Sequence, residues 1–340
     1  MIPTPGRILV IQTAWLGDVV LTTPLFAALK RTWPRASLSV VVTPASAPLL
    51  ANLPDVDGLI VHDKRRGGLK DLGRVMAAVR GGGFDLVVSP HRSARSALLA
   101  WRSGAPHRVG YVEASCARAY NIRVRRPHER HEVERILALA AAVGAKVEWD
   151  ARPRLVATAE ERAAARVLAG GKPYALVSPS SAWETKRWTP TGFAAAADWL
   201  AARGLAVVLT GPPGDVAVGA AVEAAMTTPA INLFGRTDIR GLVALVAEAA
   251  VVLANDSAPI HIAAAFDVPT VAVFGATVPA QGFGPRASRA EVVEVSGLEC
   301  RPCGAHGGRK CPPKHFKCMS DINAAAVTAA LGRVLPARLP

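Results

Sequence analysis

Residues 251–265 read VVLANDSAPIHIAAA, a pattern typical of a buried strand, a short polar turn and a helix. The apolar run Val251–Ala254 predicts a strand buried on both faces. Asp256 or Ser257 is expected to cap the helix, and Pro259 suits its first turn because no N–H is needed there. The N-terminus of such a helix binds anions, and it lies at the carboxyl end of a strand, where α/β sheets usually bind ligands. An ordinary strand–turn–helix connection remains the alternative for this stretch alone.

The order of strand followed by helix recurs on both sides of this stretch. Apolar runs such as Ile8–Ile11 and Tyr174–Val177 predict parallel strands, and the helical stretches between such runs predict right-handed crossovers. The periodicity fades over residues 145–172, which predicts a linker, a helix and a domain boundary. We therefore expect two Rossmann-like domains, 1–160 and 161–340, with ligand loops at the strand ends and a central cleft between them.

The composition narrows the possible partners and compartments. The 340 residues carry a formal net charge of +14, so an anionic partner is expected: nucleic acid, a membrane surface or a phosphorylated substrate. The first residues do not resemble a signal peptide, and no apolar run is long enough to span a membrane. The five cysteines do not indicate a secreted disulfide scaffold. We expect a cytoplasmic protein, with peripheral association to the membrane left open.

Several loops that follow predicted strands in the second half carry groups suited to a nucleotide. The loop Ser178–Trp188 combines hydroxyls with Lys186 and Arg187, a combination that suits phosphate oxygens. The tight turn Gly211–Asp215 carries a carboxylate that can grip a ribose or a base. Gly275–Thr277 ends a further strand. Together these loops predict a nucleotide site at the carboxyl edge of one sheet.

The loop after the first strand carries a single carboxylate. It contains only Gly17, so the dinucleotide-binding fingerprint with its three glycines is absent. Asp18 either caps the following helix or takes part in chemistry. The first half also holds most of the distinctive basic side chains, several of them in loops after strands: Lys64, Arg65, Arg66, Lys70, His91, Arg92, Arg95, Arg123, Arg125 and Arg126. A ligand site and a solvated basic face are both compatible with them.

A cysteine-rich segment at 300–318 follows the spacing Cys300-x2-Cys303-x7-Cys311-x6-Cys318. Four thiolates this close in sequence can close around one structural Zn²⁺ or Fe ion. Free thiols and labile disulfides are the alternatives. A catalytic metal is disfavoured because four protein ligands leave no open position. An amphipathic helix is expected at Ile322–Val334.

Taken with these features, the chain resembles glycosyltransferase family 9, the bacterial heptosyltransferases of lipopolysaccharide core synthesis. The resemblance covers nearly the whole chain and rests on RILVIQTAWLGDVVLTTPLFAALK (7–30), SGAPHRVGY (103–111), SPSSAWETKRWT (178–189), LFGRTDIRGLVALVAEAAVVLANDSAPIHIAAAFDVPTVAVFGAT (233–277) and the cysteine-rich tail. The tail and the loop around Trp183 are most similar to the heptosyltransferase II branch.

The resemblance implies a GT-B fold and an inverting displacement that needs no cofactor or divalent metal. The N-terminal domain would bind the acceptor and the C-terminal domain an ADP-sugar, ADP-heptose by analogy. Asp18 matches the family's candidate general base. Lys186 matches the residue that stabilises the departing diphosphate.

The resemblance also implies two sets of binding residues. The donor set is Ser180, Ser181, Thr185, Lys186, Asp215, Asp256, Ser257, Ala258 and His261. The acceptor set, expected to meet carboxylates and phosphates of an inner-core acceptor at the membrane surface, is Lys64, Arg65, Arg92, Arg95 and Arg123. At Ala258 the family usually has glycine, and a methyl group there crowds a diphosphate.

Three other functions are compatible with parts of the sequence. A family 9 enzyme with another nucleotide sugar or acceptor is the nearest. An NAD-dependent oxidoreductase fits two Rossmann-like halves but not the missing fingerprint. A nucleic-acid-binding protein fits the charge, yet aromatic residues make up only 5% of the chain and no reading helix is recognisable, so we expect no nucleic-acid partner.

Overall fold

Two parallel six-stranded sheets organise the part of the chain that the computed structural model describes, residues 2–336. The chain divides after Val156 into two units, and each unit holds one sheet. All paired strands run parallel. Successive strands therefore need crossover connections, and helices supply most of them.

Unit 1 has the strand order β3-β2-β1-β4-β5-β6, the order of a Rossmann fold. Its strands are β1 (Arg7–Ile11), β2 (Ser37–Val42), β3 (Gly58–Val61), β4 (Leu86–Ser89), β5 (His107–Tyr111) and β6 (Ile122–Val124). Its helices are α1 (Leu16–Thr32), α2 (Gly68–Gly81), α3 (Ala94–Arg102) and α4 (Glu132–Ala141). The strand order reverses between β1 and β4, so the loops that leave these two strands diverge and form a crevice.

The apolar side chains of unit 1 explain the position of β1 in the middle of its sheet. Ile8–Ile11 is fully buried, as expected of a strand covered by helices on both faces. Val75 and Val79 of α2 and Ala97 of α3 pack with strand residues in one core. Helix α1 packs against α4. This packing fixes the loops after β1 and β4 on a rigid base.

Unit 2 repeats the Rossmann order as β12-β11-β10-β7-β8-β9. Its strands are β7 (Tyr174–Ser178), β8 (Ala206–Leu209), β9 (Ile231–Asn232), β10 (Val251–Asn255), β11 (Thr270–Phe274) and β12 (Ala290–Glu294). Its helices are α5 (Ala159–Leu168), α6 (Pro190–Ala201), α7 (Val216–Ala225), α8 (Ile239–Glu248), α9 (Ala258–Ala265), α10 (Lys317–Ser320) and α11 (Ala324–Val334). The order reverses between β7 and β10.

Some elements go beyond those that the hydrophobic pattern predicts. Strand β5 begins with His107 and Arg108, so it lacks the apolar run by which the central strands were recognised. Strand β12 lies at a sheet edge and carries Glu291 and Glu294 among partly exposed residues. Strands that contain polar, partly exposed residues lack the apolar run that marks a buried strand, so in sequence they resemble loops. Among the described helices, none combines the length and apolar character needed to cross a membrane.

Candidate functional site

The predicted donor loops of unit 2 meet where its strand order reverses. The loop after β7 carries Lys186, and the turn after β10 carries Asp256. The Lys186 ammonium donates to Asp256 Oδ2 at 2.6 Å, and the Thr277 hydroxyl donates to the same oxygen at 2.6 Å. Both members of the Lys186–Asp256 pair are largely buried. Three loops are thus tied together at one point, and Thr277, from a predicted loop but absent from the predicted donor set, is part of it.

The N-terminus of α9 has no side-chain cap, contrary to the expectation from the sequence. Asp256 is engaged by Lys186 and Thr277, and the Ser257 hydroxyl donates to the Asn255 carbonyl at 3.2 Å. Capping fails because the side chains next to the helix have partners elsewhere. Helix α9 therefore begins at Ala258 with backbone N–H groups that its neighbouring side chains do not occupy, the arrangement that binds phosphate.

His261 lies one turn into α9 and is buried. Burial lowers the pKa of His261 to about 4. The charge of Asp256 raises this pKa, and the charge of Lys186 lowers it. The ring is therefore neutral at physiological pH. Among residues 2–336, His261 Nδ1 and the Ser180 hydroxyl are buried without a hydrogen-bond partner. Burying such groups costs free energy, so a ligand that bonds to them gains affinity.

The remaining predicted donor residues have protein partners. The Thr185 hydroxyl donates to the Gly308 carbonyl at 3.0 Å and accepts the Gly308 N–H at 2.8 Å. The Ser181 carbonyl accepts from Arg187 Nε at 2.8 Å. Arg187 also donates to Asp215 Oδ1 at 3.0 Å, which links the loop after β8 to the loop after β7. Arg187 thus positions Asp215. This contact arises because β7 and β8 are neighbours in the sheet, so the local sequence does not reveal it.

In unit 1, Asp18 lies in the first turn of α1, in the crevice between β1 and β4. Its Oδ2 accepts the N–H of Trp15 at 3.1 Å, so the carboxylate supports the start of the helix. The side chain is only partly buried. Trp15 is exposed, and the Arg65 guanidinium lies 5.1 Å from the centre of its ring.

A group of cations gathers around this loop. Lys64 Nζ donates to the Thr13 carbonyl, and Arg95 donates to the Lys64 carbonyl at 3.3 Å. Burial and the charges of Arg65 and Arg95 lower the pKa of Lys64, while Asp18 acts in the opposite direction. Arg92 is exposed on the loop after β4. The structure therefore brings Lys64 near Asp18, with Arg65 and Arg95 near Lys64.

Arg123 is not brought to this group. It is exposed on β6, where it pairs in register with Gly110 of β5. Strands β4 and β5 separate β6 from β1. An anion that meets both Arg123 and Asp18 would have to extend across the edge of the sheet.

His91 belongs to the same crevice, although the sequence presents it only as one of the basic groups. Burial, followed by the charges of Lys64 and Arg92, lowers the pKa of His91 to about 4. The ring is therefore neutral rather than cationic at physiological pH. Its Nδ1 lies 3.0 Å from the Thr13 hydroxyl and 2.9 Å from the Ser96 hydroxyl.

The cysteine-rich segment does not support the predicted metal site. Over residues 2–336, no group of three or more His, Cys, Asp or Glu side chains is arranged to hold a metal ion. All five cysteines are free thiols. Burial and the neighbouring thiols raise the pKa of Cys303, and burial is also the main cause of the raised pKa of Cys318. Cys300 Sγ lies 3.9 Å from His315 Nε2. The predicted structural Zn or Fe ion at Cys300, Cys303, Cys311 and Cys318 is therefore without support among the described residues.

Comparison with known proteins shows similarity to one family. The family model of glycosyltransferase family 9 (heptosyltransferase) matches residues 72–311. Lipooligosaccharide heptosyltransferase 2 of Haemophilus influenzae is 28% identical over 309 residues, which cover 85% of this chain and 88% of the relative. Lipopolysaccharide heptosyltransferase 2 of Escherichia coli K12 is 28% identical over 302 residues, covering 80% and 84%.

Similarity in structure extends over nearly the whole chain. The structure of E. coli ADP-heptose lps heptosyltransferase II has a TM-score of 0.79 at 25% identity and covers 96% of this chain and 98% of that chain. This likeness, with the two Rossmann-ordered sheets, confirms the predicted GT-B fold class.

Proposed function

The chain belongs to glycosyltransferase family 9, the heptosyltransferase family, and we propose that it moves a heptose from ADP-heptose to the inner core of lipopolysaccharide. Its relatives are heptosyltransferases of lipopolysaccharide and lipooligosaccharide. The observation that supports binding of the ADP-heptose donor is the site in unit 2. There Lys186 and the uncapped start of α9 lie where the strand order reverses.

The donor site supplies positive charge where the leaving group develops negative charge. As the bond between the anomeric carbon and the diphosphate oxygen breaks, ADP leaves with the electron pair. The Lys186 ammonium and the N–H groups of α9 stabilise the diphosphate, most strongly in the transition state. Asp256 acts as a positioning residue because it holds the ammonium beside α9. His261 and Ser180 complete the donor set with neutral hydrogen-bonding groups.

The acceptor half of the reaction uses unit 1. Asp18 takes the proton of the acceptor hydroxyl as that oxygen attacks the anomeric carbon, which inverts its configuration. Lys64, Arg65, Arg92 and Arg95 attract the phosphates and carboxylates of the acceptor. Arg123, on the far strand, would serve a more distant acidic group. In this proposal the transfer needs no cofactor or divalent metal.

We also propose that the enzyme works in the cytoplasm, bound peripherally to the inner face of the membrane. The outer side of α2 and α3 supports this proposal. Helices α2 and α3 carry five Lys and Arg but only one Asp, Asp71, which already shares a hydrogen bond with His62 in unit 1. Leu69, Leu98 and Trp101 on the same helices are 86%, 37% and 56% exposed. Cations with exposed apolar groups suit an anionic lipid surface.

Vesicle sedimentation tests the membrane proposal. Binding to vesicles that contain phosphatidylglycerol is expected, with a loss of about 1 kcal/mol for each cation removed, as in Arg66→Ala or Lys70→Ala. Leu69→Ser should weaken binding too. Val167→Ser, which alters an exposed residue of unit 2, is the matched control. Equal binding to vesicles of phosphatidylcholine alone, or no difference between Leu69→Ser and Val167→Ser, would contradict the proposed surface.

Release of ADP from ADP-heptose tests the transfer itself, with deep-rough lipopolysaccharide as acceptor and no added metal. We expect release that depends on the acceptor. Release from a different nucleotide sugar in preference to ADP-heptose would keep the family and replace the donor. Absence of acceptor-dependent release from any nucleotide sugar would reject the proposal. Membership of the family leaves the oxidoreductase and nucleic-acid alternatives without support.

A further inference from the structure

His91 follows β4 and faces the loop that follows β1, in the crevice that holds Asp18. Its Nδ1 is within hydrogen-bond distance of three hydroxyls, those of Thr13 (3.0 Å), Ser96 (2.9 Å) and Ser93 (3.3 Å). The backbone of Thr13 also accepts a hydrogen bond from Lys64, which interacts with Asp18. His91 is therefore fixed on one side by the protein and lies in the same region as the predicted acceptor residues.

The hydrogen bonds determine which ring nitrogen carries the proton. The Thr13 side chain is 2% exposed, and within residues 2–336 His91 Nδ1 is the only hydrogen-bond partner of its hydroxyl. A proton on Nδ1 would leave the buried Thr13 O–H without an acceptor, which costs about 1–3 kcal/mol. Thr13 therefore donates to Nδ1. Because the ring is neutral, its proton is on Nε2.

Nε2 is the side of the ring that the protein leaves available. Within residues 2–336 no group bonds to it, and it is not one of the buried side-chain atoms that lack a partner, so it reaches solvent. A neutral donor held in place by its neighbours is thus accessible to a ligand, close to cations that supply the charge. Charged groups attract an acidic substrate over a distance, whereas a neutral donor selects one oxygen by its position.

We propose that His91 binds the acceptor sugar, donating a hydrogen bond from Nε2 to one of its oxygens, and so helps to select the hydroxyl that is glycosylated. This inference rests on the proposed function. Thr13, Ser93 and Ser96 are the positioning residues that hold the ring in the donating tautomer.

Two substitutions separate this role from a purely structural one. In His91→Asn the amide oxygen replaces Nδ1 as the acceptor for Thr13, but the donor at Nε2 is lost. In His91→Gln the amide nitrogen lies near the position of Nε2, but the acceptor for Thr13 is lost. With ADP-heptose and deep-rough lipopolysaccharide, His91→Asn should keep its Tm and raise the acceptor KM about 3- to 10-fold, the worth of one neutral hydrogen bond. His91→Gln should have a lower Tm than the wild type, while its acceptor KM should stay close to the wild-type value.

In both variants the KM for ADP-heptose should stay unchanged. An unchanged acceptor KM in His91→Asn would overturn the proposal. An increase in the donor KM, or an equal increase of the acceptor KM in both variants, would assign His91 a structural role and overturn it too.

Nitrogen NMR tests the tautomer and the contact without turnover. With ¹⁵N-histidine labelling, the signals that disappear in His91→Asn identify His91 among the eight histidines. We expect a protonated Nε2 and an unprotonated Nδ1 at neutral pH, and a shift of the Nε2 signal when deep-rough lipopolysaccharide is added without donor. A protonated Nδ1 or an unshifted Nε2 would overturn the proposal. If the acceptor shifts Nε2 but the wild type releases no ADP, the proposed transfer fails while the contact stands.

Discussion

At the scale of single residues, Asp18 has two roles open to it, and its position is compatible with both. One carboxylate oxygen supports the start of α1 through the Trp15 N–H, while the side chain interacts with the charge of Lys64. The sequence alone raises the same two alternatives. Only a substitution that keeps the cap and removes the basicity distinguishes between them.

Asp18→Asn is that substitution. The amide oxygen still accepts the Trp15 N–H, so Tm should stay close to that of the wild type. Loss of the general base should lower kcat by a factor of about 10² or more. Steady-state kinetics with saturating donor and acceptor measures this effect. A kcat within tenfold of the wild type would remove Asp18 from the mechanism.

Substitutions at Lys186 and Asp256 test whether the buried ion pair between them stabilises the donor site. Lys186→Ala leaves the Asp256 carboxylate with Thr277 as its remaining partner in the pair's site, which should lower the free energy of unfolding by about 3 kcal/mol. Adding Asp256→Asn removes the unpaired charge and should recover part of that loss. Urea unfolding of both single variants and the double variant measures the coupling. If the losses of unfolding free energy in the two single variants add up to the loss in the double variant, the ion pair does not contribute to stability. The two residues are 70 positions apart in sequence, so only the fold reveals their contact.

At the scale of elements, the stretch from β10 to α9 was predictable because its signals are local. A short apolar run, a polar turn and a proline in the first helical turn give the strand, the turn and the helix in their observed order. The failure of Ser257 to cap α9 was not predictable, since its hydroxyl donates back to the Asn255 carbonyl instead. The polar strands β5 and β12 were missed for a related reason, because pairing with neighbouring strands places them in the sheet.

The uncapped start of α9 gives a prediction with an internal control. Thr189 caps α6, since its hydroxyl accepts the Gly192 N–H at 3.1 Å. Thr189→Ala should therefore cost about 1 kcal/mol of unfolding free energy. Ser257→Ala should cost less than half as much because Ser257 does not cap α9. Equal losses in urea unfolding would mean that Ser257 supports the helix after all.

At the scale of the whole molecule, repetition of one strand order explains most of what could be predicted. Two Rossmann-ordered sheets follow from alternating strands and helices, and each places its ligand loops where that order reverses. The protonation of the site could not be predicted in this way. His91 and His261 are neutral because one is partly and the other fully buried near a cation, and burial is a property of the folded chain.

This burial makes stability depend on pH. The pKa of each of these two histidines is lowered from 6.5 to about 4, so between these values the unfolded chain binds more protons than the folded chain. Stability should therefore fall as the pH decreases from 6.5 towards 4. Urea unfolding across this window should show a shallower slope for His91→Asn than for the wild type. Identical slopes would mean that His91 binds protons equally well in the folded and unfolded states, so that burial does not lower its pKa.

The most direct test of the proposed function is the mass of the acceptor after reaction. Deep-rough lipopolysaccharide is incubated with ADP-heptose and the protein, and its mass is measured against a sample that contains Asp18→Asn. We predict that the wild type adds the mass of one heptose residue and that the variant adds little or none in the same time. An acceptor of unchanged mass in the wild-type sample would contradict heptose transfer by this chain.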